Sequence, residues 1–463
     1  MHMCINRDIR DELRPRLHFK LTTPVCPGTW AGVVNCRDPS DIAGHRYLRH
    51  YKLTHDPGQF DSHTNASIYE MVDDLAAKHG VLGVGAFRDL EKKYGVNYVP
   101  AGILMDAECR QWFTPRTGLV FDWAHCIVAS GGAGQYHVAS FCHALIEHNI
   151  TLAMLDRFSR DVKTPGYDDH LRDNFFQSRV PTGAEGKDSH IKAYASECLG
   201  AINTLALFAK YVLGGPGPLR RHCDAFLVLF ELTHICTLQD HAVQHATRLD
   251  ELVRVHNQAV LSLYGQEVLK IKAHLMHHLG ESMAFHRFNI NCLTTERTHK
   301  EVKKIVSNIF RGDRIASYAI ERLLLRVLSD FDCGIDFKEF VPLGRVQPMG
   351  GLAHLLATCI GPCLDTKVFR ALHTPLGKIR VDDCALVSLE GRPSVCMLRA
   401  FCLADRRIFV VVEVFRQGAD PRQWRTTGLF RIARADCIVG LLQYLATPPG
   451  IFPLLSELHG QPS

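Results

Sequence analysis

The sequence predicts an α+β protein that is rich in helix and ends in a small β-rich unit. Two long stretches, residues 136–161 and about 190–310, have apolar residues three and four apart, the spacing of one helix face. After Pro375 the apolar runs become short, β-branched and bounded by turn residues, as in antiparallel strands. The chain has 463 residues, of which 46% are hydrophobic and 22% charged, so it is globular and long enough for two or three domains.

The helical part begins with two short predicted helices within residues 67–98, "ASIYEMVDDLAAKHG" and "FRDLEKKYG", each ending in a glycine suited to a helix C-cap. The segments "VNYVPAGILMD" (residues 96–106) and "TGLVFDW" (residues 117–123) are predicted to be extended. Further along, "HIKAYASECLGAINTLALFAKYVL" stops at "GGPGP", and the next segment has the same helical pattern. Three or four long helices in succession predict a bundle.

The β-rich unit is predicted from four segments: "GKIRVDDCALVSL", "PSVCMLRAFCLA", "RRIFVVVEVFRQ" and "TTGLFRIARADCIVGLL". Together they indicate an antiparallel barrel or sandwich of about 80 residues. The boundary is expected near residues 365–377. Its aromatic residues are more typical of a core than of a platform for stacking bases; they are Phe409, Phe415, Trp424 and Phe430.

Charge and cysteine content narrow the class of protein. The net charge of +5 permits a polyanionic partner without requiring one. Seventeen cysteines without a C-x-x-C pair predict reduced thiols in an intracellular protein and do not favour a structural zinc site. The N-terminal residues lack the apolar core of a signal peptide, and the most apolar run, residues 226–236, is interrupted by Glu231 and His234. We therefore expect a soluble protein without a membrane span.

Asp122 lies where a short apolar run ends and a helical pattern begins, in "VFDWAH". A carboxylate at the end of a strand lies on the rim of a sheet, where ligands gather in open α/β folds. The same position also suits a helix N-cap, whose side chain accepts a bond from a backbone N–H group. Both roles stay open, and His125 is expected on the helix that follows. The glycines of "ASGGAGQY" then permit a close approach of either backbone or DNA.

A second polar stretch is "KIKAHLMHHLGESMAFHRFNINCLTTERTHKEVKK". In it His274 and His278 are four residues apart and are expected on one helix face, as metal ligands or as structural histidines. Glu296 opens a predicted helix on which Lys300 and Lys303 share its side. A carboxylate flanked by cations suits a metal ion beside a phosphate backbone, whereas a solvated first turn is the alternative.

His241 and His245, preceded by Asp240, form a third group of potential ligands, for which a surface helix without a metal is the favoured alternative. With His274 and His278 they define a hypothetical His-rich metal hydrolase. No G-x-x-x-x-G-K-[ST] loop occurs, so a nucleotide-binding P-loop is not predicted.

These blocks, taken together, resemble a known family. "FDWAHCIVASGGAGQY" resembles the D-x-M-H segment of CACTA-type (En/Spm-like) DNA transposases, with Ala124 where methionine is usual. "KAHLMHH" and, eighteen residues after His278, "TERTHKEVKK" resemble the late block of that family, K-x-H-x-x-x-H then E-x-x-H-K. "AGVVNCRD" near residue 32 resembles a Gly- and Cys-containing block, and the β-rich tail resembles the end of such proteins. The blocks follow the family order over most of residues 30–445.

The resemblance implies an RNase H-like fold whose D…D…E carboxylates hold two divalent cations, Mg²⁺ or Mn²⁺, about 4 Å apart for DNA strand cleavage and transfer. Asp122 would be the second carboxylate and Glu296 the last, both as metal ligands, and His125 would orient Asp122 or contact a phosphate. In related superfamilies a D-x-x-H element lies downstream of the second catalytic aspartate, and Asp122 is also compatible with that element. The residues expected to face the DNA backbone are Lys272, Arg297, Lys300, Lys303 and Lys304.

The first carboxylate of the family pattern is not evident. Upstream of "AGVVNCRD" only Asp8 and Asp11 occur, in a polar context unlike a core strand. We therefore expect an incomplete, N-terminally truncated RNase H-like core without catalytic activity. The expected domains are a partial α/β region (1–150), an inserted helical bundle (151–295), a closing helical segment (296–370) and the β-rich domain (371–463).

Three functional hypotheses follow. The first is a transposase-derived protein. If it is active, its cofactor is Mg²⁺ or Mn²⁺; if it is inactive, it has no cofactor. The second is a non-catalytic DNA- or chromatin-binding protein that uses the bundle and the β-rich unit. The third is the His-rich hydrolase. The resemblance implies a nuclear location and DNA as the partner, and it is compatible with a homo-oligomer.

Overall fold

Helices predominate in the described part of the chain up to residue 289, and strands predominate in the described part after residue 340. The computed structural model describes residues 64–94, 98–100, 102, 104–115, 121–129, 131–164, 171, 173–182, 189–289, 321, 340–348, 366–374, 377–404, 407–447 and 450–455. Helix and sheet occur together in these residues, which confirms the predicted α+β class.

The chain begins with α1 (Asn65–Lys78) and α2 (Val84–Tyr94). The extended segment predicted at residues 96–106 is wrong for the residues described there, which form turns that lead into a 3-10 turn at Cys109–Gln111. The reason is local hydrogen bonding, since the Gly102 amide donates to the Val99 carbonyl oxygen and the Met105 amide donates to the Gly102 carbonyl oxygen, both at 2.8 Å. Such bonds offer the backbone an alternative to a strand.

The helical bundle follows. Its helices are α3 (Trp123–Ile127), α4 (Ala133–Glu147), α5 (Leu152–Asp161), α6 (Phe175–Arg179), α7 (Ala195–Leu207), α8 (Arg220–Thr237), α9 (Ala246–Tyr264), α10 (Ile271–Leu275) and α11 (Leu279–His286). Their apolar faces share one core, in which Phe141 and Phe226 stack with ring centroids 4.5 Å apart. The predicted succession of long helices is therefore confirmed for α7, α8 and α9.

No single helix among the described residues is long and apolar enough to cross a membrane. The pair α4 and α5 reaches the necessary length and composition only jointly, and it bends by 114°.

The strands after residue 340 are β2 (Val341–Leu343), β3 (Lys367–Phe369), β4 (Ala371–Thr374), β5 (Gly377–Arg380), β6 (Cys384–Leu389), β7 (Arg392–Ala404), β8 (Arg407–Gln417), β9 (Trp424–Arg434), β10 (Ile438–Leu442), β11 (Tyr444–Thr447) and β12 (Gly450–Pro453). Each of the four predicted segments contains all or nearly all of at least one of these strands. β6 to β9 form an antiparallel meander, and β10 returns to pair with β6 after a 3-10 turn at Ala435–Cys437. This arrangement encloses a core that includes Leu398, Phe401 and Val412.

The bundle and the β-rich unit are joined by a strand that the sequence did not predict. This strand, β1 (Val162–Lys163), follows α5 and pairs with β11. A π-helical turn at Phe208–Val212 also reaches the sheet, because Lys210 Nζ donates to the Leu455 carbonyl (3.0 Å) and the Tyr211 hydroxyl donates to the Pro453 carbonyl (2.5 Å).

Candidate functional site

Asp122 is the N-cap of α3, as one of the two predicted roles requires. Its backbone is extended (φ −90°, ψ 120°), and its side chain accepts from the amides of Ala124 (3.3 Å) and His125 (3.0 Å). The carboxylate is fully buried, and its Oδ2 lies 2.5 Å from Nδ1 of His125, whose side chain is 18% exposed. Asp122 therefore ends the approaching segment, starts α3 and orients the His125 ring.

The sharp bend between α3 and α4 depends on glycine. A Cβ atom on Gly132 would lie 2.3 Å from the Ile127 carbonyl oxygen, and one on Gly134 would lie 2.8 Å from the same atom. Gly131 has φ +70°, in the left-handed region. Of the two roles predicted for this glycine-rich segment, the close approach of backbone to backbone is the one that the structure contains.

Lys272 lies in α10, which packs against α3. Burial lowers the pKa of Lys272, and the charges of Cys126 and Asp122 oppose that shift. Burial likewise raises the pKa of the Cys126 thiol to about 12; Asp122 adds to the shift and Lys272 opposes it. Asp122, Cys126 and Lys272 are thus near enough for their charges to interact, although 150 residues separate Asp122 from Lys272 in the chain.

His278 also contacts the segment that precedes α3. Its ring stacks on that of Phe121, with centroids 5.0 Å apart. The His274 ring touches it edge-on at 5.3 Å, so the predicted pair is adjacent in space. The pair does not share one regular helix, because α10 ends at Leu275 and Met276–His278 is a 3-10 turn. Besides these contacts, Asp122, His125, Lys272, His274 and His278 each have further interactions.

The other predicted site residues are described only in part. Glu296, Arg297, Lys300, Lys303 and Lys304 fall outside the described residues. His245 lies at the end of a 3-10 turn, Gln239–His245, and not on the regular surface helix expected there; the side chain of His241 is outside the described part.

The described residues contain no group of three or more His, Cys, Asp or Glu side chains that could hold a metal ion. Mg²⁺ and Mn²⁺ prefer several hard oxygen ligands, and the Asp122 carboxylate already accepts from two amides and contacts His125. These residues alone do not fit the divalent cation that the resemblance implies.

A buried polar chain inside the bundle was missed by the sequence reasoning. His137 Nδ1 lies 3.0 Å from His256 Nε2, and His256 Nδ1 lies 3.1 Å from Oδ1 of Asn257. Asn257 Nδ2 in turn lies 3.0 Å from the Ala273 carbonyl oxygen and 3.1 Å from Nε2 of His277. Because an amide oxygen only accepts, His256 carries its proton on Nδ1, and His137 must then donate to the free Nε2 of His256.

This polar chain ties α4 to α9 and α10. His137, His256 and Asn257 are at most 1% exposed. Burial lowers the pKa of His137 well below its usual value and that of His256 to about 4, so both rings are neutral near pH 7. The neutral, directional bonds indicate a structural connection. No pattern in the sequence indicated this polar chain, because polar residues at helical spacing are equally typical of a solvated face.

Eight of the ten described cysteines are buried, and no disulfide links any of these ten. Of the four aromatic residues named in the β-rich unit, Trp424 and Phe415 lie in its core, 2% and 5% exposed, whereas Phe430 is 40% exposed.

Comparison with protein-family models, with curated proteins and with solved structures finds no match to this chain.

Proposed function

We propose that this chain is a DNA-binding protein derived from a CACTA-type transposase, in which Asp122 now serves the fold and strand cleavage is absent. The observation that supports the ancestry most is the meeting of two distant blocks. The "FDWAH" segment and the "KAHLMHH" segment are about 150 residues apart in the chain, yet Phe121 stacks on His278, and Lys272 lies within charge interaction of Asp122. The family resemblance rests on these same two blocks.

The state of the carboxylate supports the loss of cleavage. A DDE-type reaction needs carboxylate oxygens that face a metal pair and the DNA. Asp122 is 0% exposed, and its oxygens accept from the first amides of α3 and lie against His125. In this arrangement the carboxylate stabilises a helix terminus and a side-chain orientation.

A plasmid-nicking assay tests the proposal. Supercoiled plasmid is incubated with the protein and either Mg²⁺ or Mn²⁺, alongside the Asp122→Asn variant, and the open-circular and linear forms are quantified. We expect wild type and variant to leave equal amounts of intact plasmid. Nicking by the wild type that disappears in Asp122→Asn would show that Asp122 is catalytic and would overturn the proposal. Asparagine retains the N-cap, and circular dichroism of the variant verifies that it is folded under the assay conditions.

The His-rich hydrolase has less support. It needs at least three histidine nitrogens at one point, and the described residues contain no such group. His274 and His278 contact each other through the edges of their rings, with centroids 5.3 Å apart.

A further inference from the structure

The segment "SHIKAY", which precedes α7, is fixed to α4 by Gln135. Gln135 Nε2 donates to the Ala193 carbonyl oxygen (2.8 Å), and the Ile191 amide donates to the Gln135 carbonyl oxygen (3.3 Å). Because Gln135 is fully buried, water does not compete for these bonds. They hold His190 and Lys192, the two residues that flank Ile191, next to the first turn of α4.

Tyr136, the residue after Gln135 on α4, contacts both this segment and a lysine. The ring centroids of Tyr136 and His190 are 5.0 Å apart, and Lys270 Nζ lies 5.7 Å from the Tyr136 ring centroid. A cation within about 6 Å of an aromatic ring is attracted to it. Since Lys270 immediately precedes α10, these contacts bring together α4, the "SHIKAY" segment and the start of α10.

Three lysines surround the His190 ring; together with Tyr136 and His190 they are hereafter the lysine cluster. Burial lowers the pKa of His190 below its usual value, and the positive charges of Lys272, Lys192 and Lys270 lower it further. The three ammonium groups therefore lie near one ring, although about 80 residues separate Lys192 from Lys270 in the chain. Like charges at short range repel one another, so a bound anion would stabilise this arrangement.

Nearby carboxylates compensate this charge only in part. Asp122 interacts with Lys272, but it is fully buried and its oxygens accept from the first amides of α3. Glu197, in the first turn of α7, pairs with Arg179 (3.5 Å). The positive charges of the other two lysines of the cluster are therefore the ones available to a ligand.

These two lysines are also accessible. Lys192 is exposed, and Lys270, Tyr136 and His190 are partly exposed. Neither Lys192 nor Lys270 forms an ion pair within the described part of the chain. A ligand can therefore reach both ammonium groups without the loss of an existing ion pair.

We propose that the lysine cluster binds a phosphate group of the DNA backbone and that Lys192 and Lys270 contact it directly. An ammonium group is a compact charge that binds phosphate oxygens, and cations beside an aromatic ring are typical of nucleic-acid surfaces. A free nucleotide is a poorer match, since the chain contains no P-loop to hold its phosphates. The inference rests on the proposed DNA-binding function. It places a DNA contact on two lysines outside the blocks that resemble the transposase family.

The test measures DNA affinity of the full chain by fluorescence anisotropy with a labelled 30-base-pair duplex between 50 and 200 mM NaCl. One double variant, Lys192→Gln with Lys270→Gln, removes both charges and keeps most of the side-chain length. Its matched control is Lys163→Gln with Lys367→Gln, which removes two exposed lysines on β1 and β3. A third variant, Lys192→Arg with Lys270→Arg, keeps the charges. Circular dichroism verifies that all three are folded.

Each lost phosphate contact lowers the salt slope of log affinity by about one. We therefore expect the slope to fall by about two in the glutamine variant of the cluster. The control and the arginine variant should keep the wild-type slope.

The outcomes separate this inference from the proposed function. A wild-type slope in the glutamine variant of the cluster, an equal loss in its control, or an equal loss in the arginine variant would overturn the lysine cluster and leave DNA binding intact. No binding of DNA by the wild type at 50 mM NaCl would overturn the proposed function itself. Binding of a fluorescent ATP analogue in place of the duplex, abolished in the glutamine variant, would identify a free nucleotide as the occupant and overturn DNA.

Discussion

Replacing Asp122 tests the role of this carboxylate as a structural element. Asp122→Ala removes the N-cap of α3, whose loss costs about 1 kcal/mol. It also removes the charged acceptor that lies 2.5 Å from His125 Nδ1, and a hydrogen bond to a charged group contributes about 1.5–3 kcal/mol. Since Asp122 is fully buried, water does not replace these bonds. We expect Asp122→Ala to lower the free energy of unfolding by about 3 kcal/mol.

Asp122→Asn separates the two contributions. Asparagine caps helices about as well as aspartate does, so this variant keeps the bonds to the α3 amides and loses only the charge. Its expected loss is about 2 kcal/mol, smaller than that of Asp122→Ala. Urea unfolding followed by circular dichroism at 222 nm measures both values, because the signal reports the helices.

The matched control is Asp224→Ala. Asp224 lies on α8, is about half exposed and pairs with Arg220 one helical turn away (3.0 Å). Exposed pairs of this kind contribute about 0.3–0.5 kcal/mol. If Asp122→Ala costs no more than Asp224→Ala, the buried cap and the His125 contact do not stabilise the fold, and the structural role of Asp122 is refuted.

Three further predictions concern the bundle. Burial lowers the pKa of His256 to about 4, below its unfolded value of 6.5, so the unfolded chain binds the proton first as pH falls. The free energy of unfolding should have its full value above about pH 6.5. It should fall towards pH 4 by on the order of 3 kcal/mol, at about 1.4 kcal/mol per pH unit. His256→Gln should flatten this decline in urea unfolding measured at several pH values. Gly132→Ala should destabilise by about 1–3 kcal/mol, because its Cβ would lie 2.3 Å from the Ile127 carbonyl oxygen; an unchanged urea midpoint would contradict that approach. Iodoacetamide at pH 8 should modify the partly exposed Cys437 and spare the buried Cys126 until urea is added, as peptide mass mapping would detect.

Local sequence signals predicted the strands well. "RRIFVVVEVFRQ" contains β8, Arg407–Gln417, and "PSVCMLRAFCLA" contains nearly all of β7, Arg392–Ala404. β-branched runs and the turns that bound them depend on neighbours in the chain, so the pattern is readable without the fold. The N-cap role of Asp122 was predictable for the same reason, since a cap bonds only to the next few residues.

Features that depend on distant partners could not be predicted in this way. β1 consists of two residues, and its partner β11 lies about 280 residues further along the chain. His137 and His256 are 119 residues apart, and polar residues on helices do not reveal which of them meet in the core.

The proximity of Lys272 and His278 to the Asp122 segment could be predicted only in part. Each block was visible in the sequence, but periodicity did not relate one to the other, and only the family resemblance placed them in one site. The stacked rings of Phe121 and His278 now provide a direct contact between the blocks.

The most direct test of the central claim is plasmid nicking by the wild type and Asp122→Asn in Mn²⁺, at a protein concentration at which anisotropy shows the DNA to be bound. We predict that both proteins bind the DNA and that the supercoiled plasmid stays equally intact with each. Nicking by bound wild type, absent with bound Asp122→Asn, would contradict the claim and identify Asp122 as part of a working active site.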